Sequence, residues 1–387
     1  MKTNSFIVDS KQFFCDEMPI ETSSFNIKSI PRSYSVNWVE DENPLAEVNK
    51  ILAENPKNLL FIDKNVLAHY RDLLTVSDDR ICVSDATEEF KTLDGVRKLL
   101  DFLYDNEFTK SNMLVVVGGG ITQDIGGFVA ASYKRGISWT LFPTTLLSMC
   151  DSCIGAKTGV NYRKAKNQIA LFSAPTKVVM NLRFLKTLTQ EALQSGLGEI
   201  LKLCIIGGEN FLEIYARHVE NGKVKQTQDY KILILNALSI KKAIIEEDEF
   251  EANYRKSLNY GHTLGHVIEG LTDYAIPHGQ AISIGMILVN ELSYQNGLLT
   301  ENQKEKLNEL CLGLLNQSIF TIMQNLSTET LLDLLRNDKK VENAEVKFVF
   351  IKTAGETCFV KLALDTQLLS KINLVIQSYF IKAVEHM

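Results

Sequence analysis

The chain has 387 residues with a formal net charge of −6, and 45% of them are hydrophobic against 23% charged. That length allows two domains with ample core, and the balance is that of a globular protein rather than a disordered one. The acidic net charge gives no whole-chain reason to bind nucleic acid or an anionic membrane, although a small anionic substrate needs only a few convergent lysines and arginines.

The N-terminal MKTNSFIVDSKQFFCDEM has no apolar signal core, and no run of about 18 apolar residues follows, so a cytoplasmic protein is expected. Residues 1–35 are rich in Ser, Thr, Asn and Pro and lack strong periodicity; an extension is expected there. From residue 36 the texture alternates. YSVNWV reads as a strand, ENPLAEVNKILAE as a helix, NLLFID and RICVSD as strands, Glu88–Asn106 as a helix and Met113–Val117 as a buried strand. Continuous apolar runs of this kind belong to parallel strands covered on both faces. Residues 36–181 therefore read as a doubly wound, mostly parallel nucleotide-binding α/β domain. Residues 182–387 read as a mainly α-helical domain, with helical spacing in LTQEALQSGLGEILKLCIIG, DYKILILNALSIKKAIIEEDE, ISIGMILVNELSYQNG and TETLLDLLRND, and one late hairpin over VKFVFIKTAGETCFVKL. With no long linker between the halves, a cleft between packed domains is the expected site.

Several motifs carry chemistry. GGGITQDIGGFVAA follows a strand and opens a helix, where backbone N–H groups and the positive helix end suit a pyrophosphate; a tight strand-to-helix turn is the plain alternative. PTTLLSMCDSCIGAKTGVNYRKAKN collects Asp151, Lys157, Lys166 and Asn167 after the strand WTLF, at the carboxyl edge of the sheet. Cys150 and Cys153 within it form a CxxC with no second pair, and the seven cysteines read as buried thiols of a reducing compartment. Glu199 and Lys202 share a helix face among apolar neighbours, which argues against a solvated ion pair. Lys242, Arg255 and Asn259 precede the histidines, and NDKK supplies Lys339 and Lys340, donors suited to phosphate and carboxylate oxygens. In LNYGHTLGHVI a helix over 258–270 puts His262 and His266 on one face, and His278 follows. Core or surface histidines and a zinc site both fit that spacing; a carboxylate from Glu199 would complete the zinc site.

Taken together, the runs GGG, FVAASYKRG, PTTLL, DSCIGAKTGVNYRKAKN, GLGEILK, RKSLNYGHTLGH and HG resemble, in order and spacing, the 3-dehydroquinate synthase family of sugar phosphate cyclases. The resemblance runs from about Asp63 to the end of the late hairpin. It implies metal ligands at Glu199, His262 and His278, with Zn2+ or Co2+ as the ion. It implies NAD contacts from Gly119, Gly120 and Asp124 in the turn, from Thr144 and Thr145, from Asp63, Glu88, Lys91 and Thr187, and from Lys157 and Lys166. Substrate contacts are implied at Asp151, Lys157, Asn167, Lys202, Lys242, Arg255, Asn259, His266 and Lys340, with Arg135 reaching the site of the other subunit of a homodimer.

The implied reaction takes a seven-carbon sugar phosphate through transient oxidation by NAD, loss of phosphate, reduction, ring opening and an internal aldol closure. Lys242 and Arg255 stand at positions that clamp a substrate carboxylate in the synthases, so 3-deoxy-D-arabino-heptulosonate 7-phosphate or its amino analogue is the expected substrate, in primary shikimate or in secondary metabolism. Alternatives are a cyclase acting on sedoheptulose 7-phosphate, a polyol dehydrogenase and a catalytically silent binding protein. Three departures stand out: the Lys242-to-Arg255 interval is one residue shorter than the family's usual spacing, GAK replaces GGK at Ala156, and HGQ replaces HGE at Gln280, removing a carboxylate beside an expected ligand.

Overall fold

A computed structural model describes residues 2–163, 165–326, 341–342 and 345–381. The chain divides into two compact units, residues 19–189 and residues 190–387 together with the first 18. Those first residues hold a hairpin, β1 (Thr3–Val8) and β2 (Lys11–Asp16), and Ser24–Ile27 form β3, so three strands lie inside the segment expected as an extension. β1 buries alternate residues, as a half-covered strand does.

The unit of residues 19–189 is built on a seven-stranded sheet in the order β3-β4-β11-β8-β7-β5-β6. Its strands after β3 are β4 (Tyr34–Trp38), β5 (Leu59–Asp63), β6 (Ile81–Ser84), β7 (Met113–Gly118), β8 (Ser138–Pro143) and β11 (Lys177–Met180). Only the edge strand β3 runs antiparallel to its neighbour. Every residue of β5 is buried and Leu114–Val117 of β7 are fully so, the reason these strands read as continuous apolar runs. A second, two-stranded sheet pairs β9 (Lys157–Tyr162) with β10 (Ala165–Phe172). The helices are α1 (Ala46–Glu54), α2 (Lys64–Tyr70), α3 (Leu93–Asp105) and α4 (Gly120–Ser132). α3 starts five residues later than Glu88 because Thr92 is extended and residues 87–92 form tight turns. α4 lies close on β7 because a Cβ on Gly126 would meet Val116 Cγ2 at 2.7 Å.

The other unit has a helical core: α5 (Gln190–Gly207), α6 (Glu209–His218), α7 (Asp229–Glu247), α8 (His262–Leu271), α9 (His278–Gln295), α10 (Glu301–Leu312), α11 (Gln317–Gln324) and α12 (Thr366–Ile376). The middle of α5 and the start of α9, which carry the candidate ligands, meet at glycines: a Cβ on Gly279 would lie 1.8 Å from the Ser195 carbonyl oxygen, and one on Gly198 would lie 2.3 Å from the Gly279 carbonyl oxygen. A short ribbon, β12 (Val219–Glu220) and β13 (Lys223–Val224), follows α6. The late hairpin, β15 (Glu345–Thr353) and β16 (Glu356–Ala363), forms as expected, but it joins a five-stranded sheet ordered β14-β15-β16-β1-β2, with β14 at Val341–Glu342. The helix expected over TETLLDLLRND lies outside the described residues. No described helix is long and apolar enough to cross a membrane. None of the seven cysteines, all described, forms a disulfide, and the thiols of Cys150 and Cys153 donate to the Leu147 and Met149 carbonyls.

Candidate active-site residues

Within the helical unit, Glu199, Lys202, His262, His266 and His278 converge. The helix expected over 258–270 begins only at His262, because Gly261 is left-handed at φ 76° and the residues before it form a 3-10 turn. A Cβ on Gly261 would meet Met286 Cγ at 2.7 Å, so glycine also lets α8 approach α9. α9 starts at His278 directly after Pro277, a residue that cannot continue a helix backwards. The ring nitrogens of His262, His266 and His278 lie within 4.8 Å of one another. Glu199 Oε1, on α5, is 3.3 Å from His278 Nε2 and 3.5 Å from His262 Nε2.

The tautomers follow from the neighbours. His262 Nδ1 lies 3.2 Å from the Tyr260 carbonyl, which can only accept, so Nδ1 carries the proton and Nε2 presents a lone pair toward Glu199. A lone pair and a carboxylate oxygen facing each other call for a cation between them, and no hydrogen bond of good geometry reaches either buried Glu199 oxygen. The donor set of one carboxylate and two imidazoles suits zinc or cobalt. Glu199 and Lys202 are 1% and 2% exposed, and Lys202 Nζ is 2.5 Å from Glu199 Oε2. Burial works to raise the Glu199 carboxyl, but Lys202 and His278 overcome it and hold it below the ordinary range. For His278, burial favours the neutral ring, while contacts with Glu199 and Glu269 outweigh it and push the imidazole up to about 9.

Glu269 is the residue the sequence reading missed. It is buried on α8, with Oε2 3.3 Å from His278 Nδ1 and 3.9 Å from His266 Nε2. Its signal was the position three residues after His266, on the same helix face. Gln280 turns elsewhere, its Nε2 3.4 Å from the Glu191 carbonyl.

The expected carboxylate clamp is differently dressed. Arg255 is 2% exposed; its backbone N–H, with those of Ala252 and Asn253, donates to the Asp248 carboxylate, and its guanidinium donates to the Glu249 carbonyl. Burial raises the Asp248 carboxyl, yet these three N–H groups bring it below its ordinary value. Lys242 faces Glu246 at 3.1 Å, and Asn259 donates to Glu251 at 2.7 Å. Lys340 lies outside the described residues.

Within the α/β unit, α4 begins at Gly120 with Gly119 as its cap and no side chain capping it, so the first N–H groups of a 13-residue helix have no partner from the cap. A Cβ on Gly119 would lie 2.9 Å from Thr145 Cγ2. That cradle fits a pyrophosphate held by backbone N–H groups. Thr144 donates its N–H to the Gly118 carbonyl, and Thr145 is held by Ser148 Oγ at 2.9 Å. Lys91 Nζ meets Asp124 Oδ2 at 2.5 Å. Asn161, quoted in the motif but given no role, ties this region together: it donates to Glu88 Oε1 at 2.7 Å and to the Lys91 carbonyl at 2.8 Å, and accepts from the Asn167 N–H at 2.9 Å. Asp63 caps α2 through Asn65, Thr187 closes a 3-10 turn by donating to Phe184, and Asp151 sits in the helical turn Ser148–Ser152. Lys157 is exposed at the start of β9, and Lys166 lies in β10.

Left-handed non-glycine residues occur at several places in the chain, among them Asn167 at φ 52° and two stretches beside expected site residues. Ala156, where glycine would be free, is left-handed at φ 55° directly before Lys157, a conformation costing about 1 kcal/mol. Lys134, exposed Arg135 and Gly136 are successively left-handed at φ 50°, 61° and 104°.

By sequence, known proteins that match this chain belong to one family, while the solved structures of the same fold also include a probable glycerol dehydrogenase from Sinorhizobium meliloti 1021, at a TM-score of 0.60 and 13% identity over 89% of this chain and 97% of that one. Residues 81–195 match the 3-dehydroquinate synthase N-terminal family and residues 196–341 the 3-dehydroquinate synthase C-terminal family. The 3-dehydroquinate synthase of Streptococcus equi subsp. equi (strain 4047) is 32% identical over 363 residues, covering 90% of this chain and 97% of that protein. Among solved structures, 2-deoxy-scyllo-inosose synthase complexed with carbaglucose-6-phosphate, NAD+ and Co2+ aligns with a TM-score of 0.79 at 21% identity, over 92% of this chain and 99% of that one. The 2-epi-5-epi-valiolone synthase from Streptomyces hygroscopicus subsp. jinggangensis 5008, with NAD+ and Zn2+ bound, aligns at 0.77 and 23% identity over 92% and 99%.

Proposed function

The chain belongs to the 3-dehydroquinate synthase family, and from that premise we propose that it converts 3-deoxy-D-arabino-heptulosonate 7-phosphate, or its amino analogue, into a carbocycle with loss of phosphate. It is a carbon–oxygen lyase of the sugar phosphate cyclase group. The observation that carries the reading is the convergence of the Glu199 carboxylate on two imidazoles beside a buried lysine.

When bound, NAD supplies a hydride acceptor that is regenerated within the turnover, and a divalent cation supplies Lewis acidity at substrate oxygens. Glu199, His262 and His278 hold the cation, and the uncapped first turn of α4 with Gly119, Gly120 and Thr145 holds the dinucleotide phosphates; Asp63, Glu88, Lys91, Asp124, Thr144, Lys166 and Thr187 complete that set. Lys202 keeps a positive charge next to Glu199, positioned to stabilise oxyanion character on the substrate. Lys157, Asn167, Asn259, His266 and Lys340 hold the phosphate, Asp151 binds substrate hydroxyls, and Lys242 with Arg255 holds the carboxylate. Arg135 reaches the site of a second copy in a homodimer; its exposure and strained backbone support a role beyond packing.

Support for a carboxylated substrate comes from Lys242 and Arg255, which stand at the two positions where synthases of this family hold a substrate carboxylate, with Asn259 also matching the synthases. The test is phosphate release by the full chain, given NAD and cobalt, with 3-deoxy-D-arabino-heptulosonate 7-phosphate and with sedoheptulose 7-phosphate in parallel. Turnover of the carboxylated sugar without accumulation of NADH is expected. Turnover of the carboxylate-free sugar alone overturns the substrate assignment, and net NADH formation overturns the cyclase.

A further inference from the structure

His262 and His278 are held in different ways. The His262 ring is fixed from its own chain, by the Tyr260 carbonyl two residues back. His278 is the first residue of α9, and its side chain, 30% exposed, makes no such contact with the backbone beside it among the described hydrogen bonds. What touches its outer nitrogen is Glu269 Oε2, at 3.3 Å, an ion-pair contact rather than a hydrogen bond of good geometry.

We propose that Glu269 is a positioning residue that fixes the ring and tautomer of His278 through its contact with Nδ1. A carboxylate can only accept, so Glu269 keeps a proton on Nδ1, and it is the Nε2 proton, on the side where Glu199 Oε1 lies 3.3 Å away, that a cation displaces to free the lone pair. This rests on the metal site proposed above, for which a carboxylate behind an imidazole ligand both orients the ring and strengthens it as a donor.

Three observations support the assignment. Glu269 is 4% exposed, and a carboxylate is placed so deep only where it has charged or hydrogen-bonding partners. The placement is rigid, because α8 and α9 approach through glycine: a Cβ on Gly285 would lie 2.0 Å from the Gly261 carbonyl oxygen. Last, Gln280, two residues beyond His278 where the family carries glutamate, points to the Glu191 carbonyl on α5, so the carboxylate that touches this ring comes from α8. The same oxygen lies 3.9 Å from His266 Nε2, beyond hydrogen-bond length, so its hold on that ring is electrostatic.

The test is a cobalt titration of the metal-free full chain, followed by visible absorption against a competing chelator, for wild type, Glu269→Gln, Glu269→Leu and Glu199→Gln. Glu269→Gln keeps an acceptor of the same shape without the charge, so cobalt affinity should fall about tenfold, and Glu269→Leu should lose about a hundredfold with altered cobalt bands. Melting of the metal-free proteins separates this from a merely structural role, which lowers the melting temperature and leaves affinity and bands unmoved. Should Glu269→Leu fail to fold, Glu269→Gln decides alone. Wild-type affinity and bands in both Glu269 variants, with binding lost in Glu199→Gln, overturn this proposal and leave the metal site standing. Absence of stoichiometric cobalt binding by the wild type overturns both.

Discussion

Replacing Gly198 with alanine puts a methyl carbon 2.3 Å from the Gly279 carbonyl oxygen, where ordinary contact begins at 3.4 Å. Backbone blocks the way on both helices, so α5 and α9 must part by about 1 Å in a core packed too densely to absorb it. Gly198 precedes Glu199 and Gly279 follows His278, so the separation acts one residue from each. The 3.3 Å contact between Glu199 Oε1 and His278 Nε2 opens accordingly. Overpacking of this kind costs about 1–3 kcal/mol, and for a unit of roughly 200 residues the melting temperature should fall by about 2–10 °C. A misplacement of about 1 Å also costs on the order of a hundredfold in turnover, so phosphate release should drop far more than stability does. The assay pairs calorimetry with cobalt titration. Gly270→Ala is the control: it lies on α8, and its added Cβ meets nothing within 4 Å. A Gly198→Ala protein with wild-type melting and wild-type cobalt affinity would refute the view that this glycine contact sets the ligand geometry.

Because the metal-free His278 titrates near 9, a cation binding at pH 7.5 must expel its proton. Affinity should rise with pH up to about that value, and calorimetry in buffers of different ionisation enthalpy should count close to one proton released; proton-neutral binding contradicts this. The sign for stability is the opposite: a folded value raised above 6.5 means the metal-free protein gains fully below 6.5 and loses that gain as pH rises through about 9. Asp248, depressed by three N–H donors, acts the other way, contributing above its free value of 3.8 and losing the contribution as pH falls through its lower folded value. Asp248→Ala should cost about 1–3 kcal/mol and raise KM for the carboxylated sugar through Arg255; an unchanged melt and KM would count against it. Glu199→Gln should cost about 3–5 kcal/mol by leaving Lys202 buried without its carboxylate. Glu199→Gln with Lys202→Met should recover most of the melting temperature but none of the cobalt binding, and recovery of both would remove Glu199 from the ligand set.

The parallel sheet was legible because strands buried on both faces run continuously apolar, as residues 59–62 and 113–117 do. The ligand-bearing helices were legible through spacing, yet the start of α8 was misplaced because Gly261 supports either a helical or a left-handed reading until α9 is packed against it. The five-stranded sheet escaped notice for a different reason: β1 pairs with β16 across some 350 residues, and local pattern cannot reveal a partner so distant. Asn161 touches Glu88, a residue brought near only by folding, whereas Glu269 had a local signal beside His266 but its contact with His278 on the next helix did not.

That pairing of Ile7 with Glu356 and of Val8 with Thr357 has a consequence for biogenesis. During translation the β1–β2 hairpin leaves the ribosome long before β16, and until then the edge of β1 that β16 will cover is bare. Bare edges invite pairing with foreign strands, so this edge of β1 is open to aggregation while synthesis continues. Removing the first 18 residues should transfer the same hazard to β16, leaving a finished chain that sediments rather than one that merely lacks a tail.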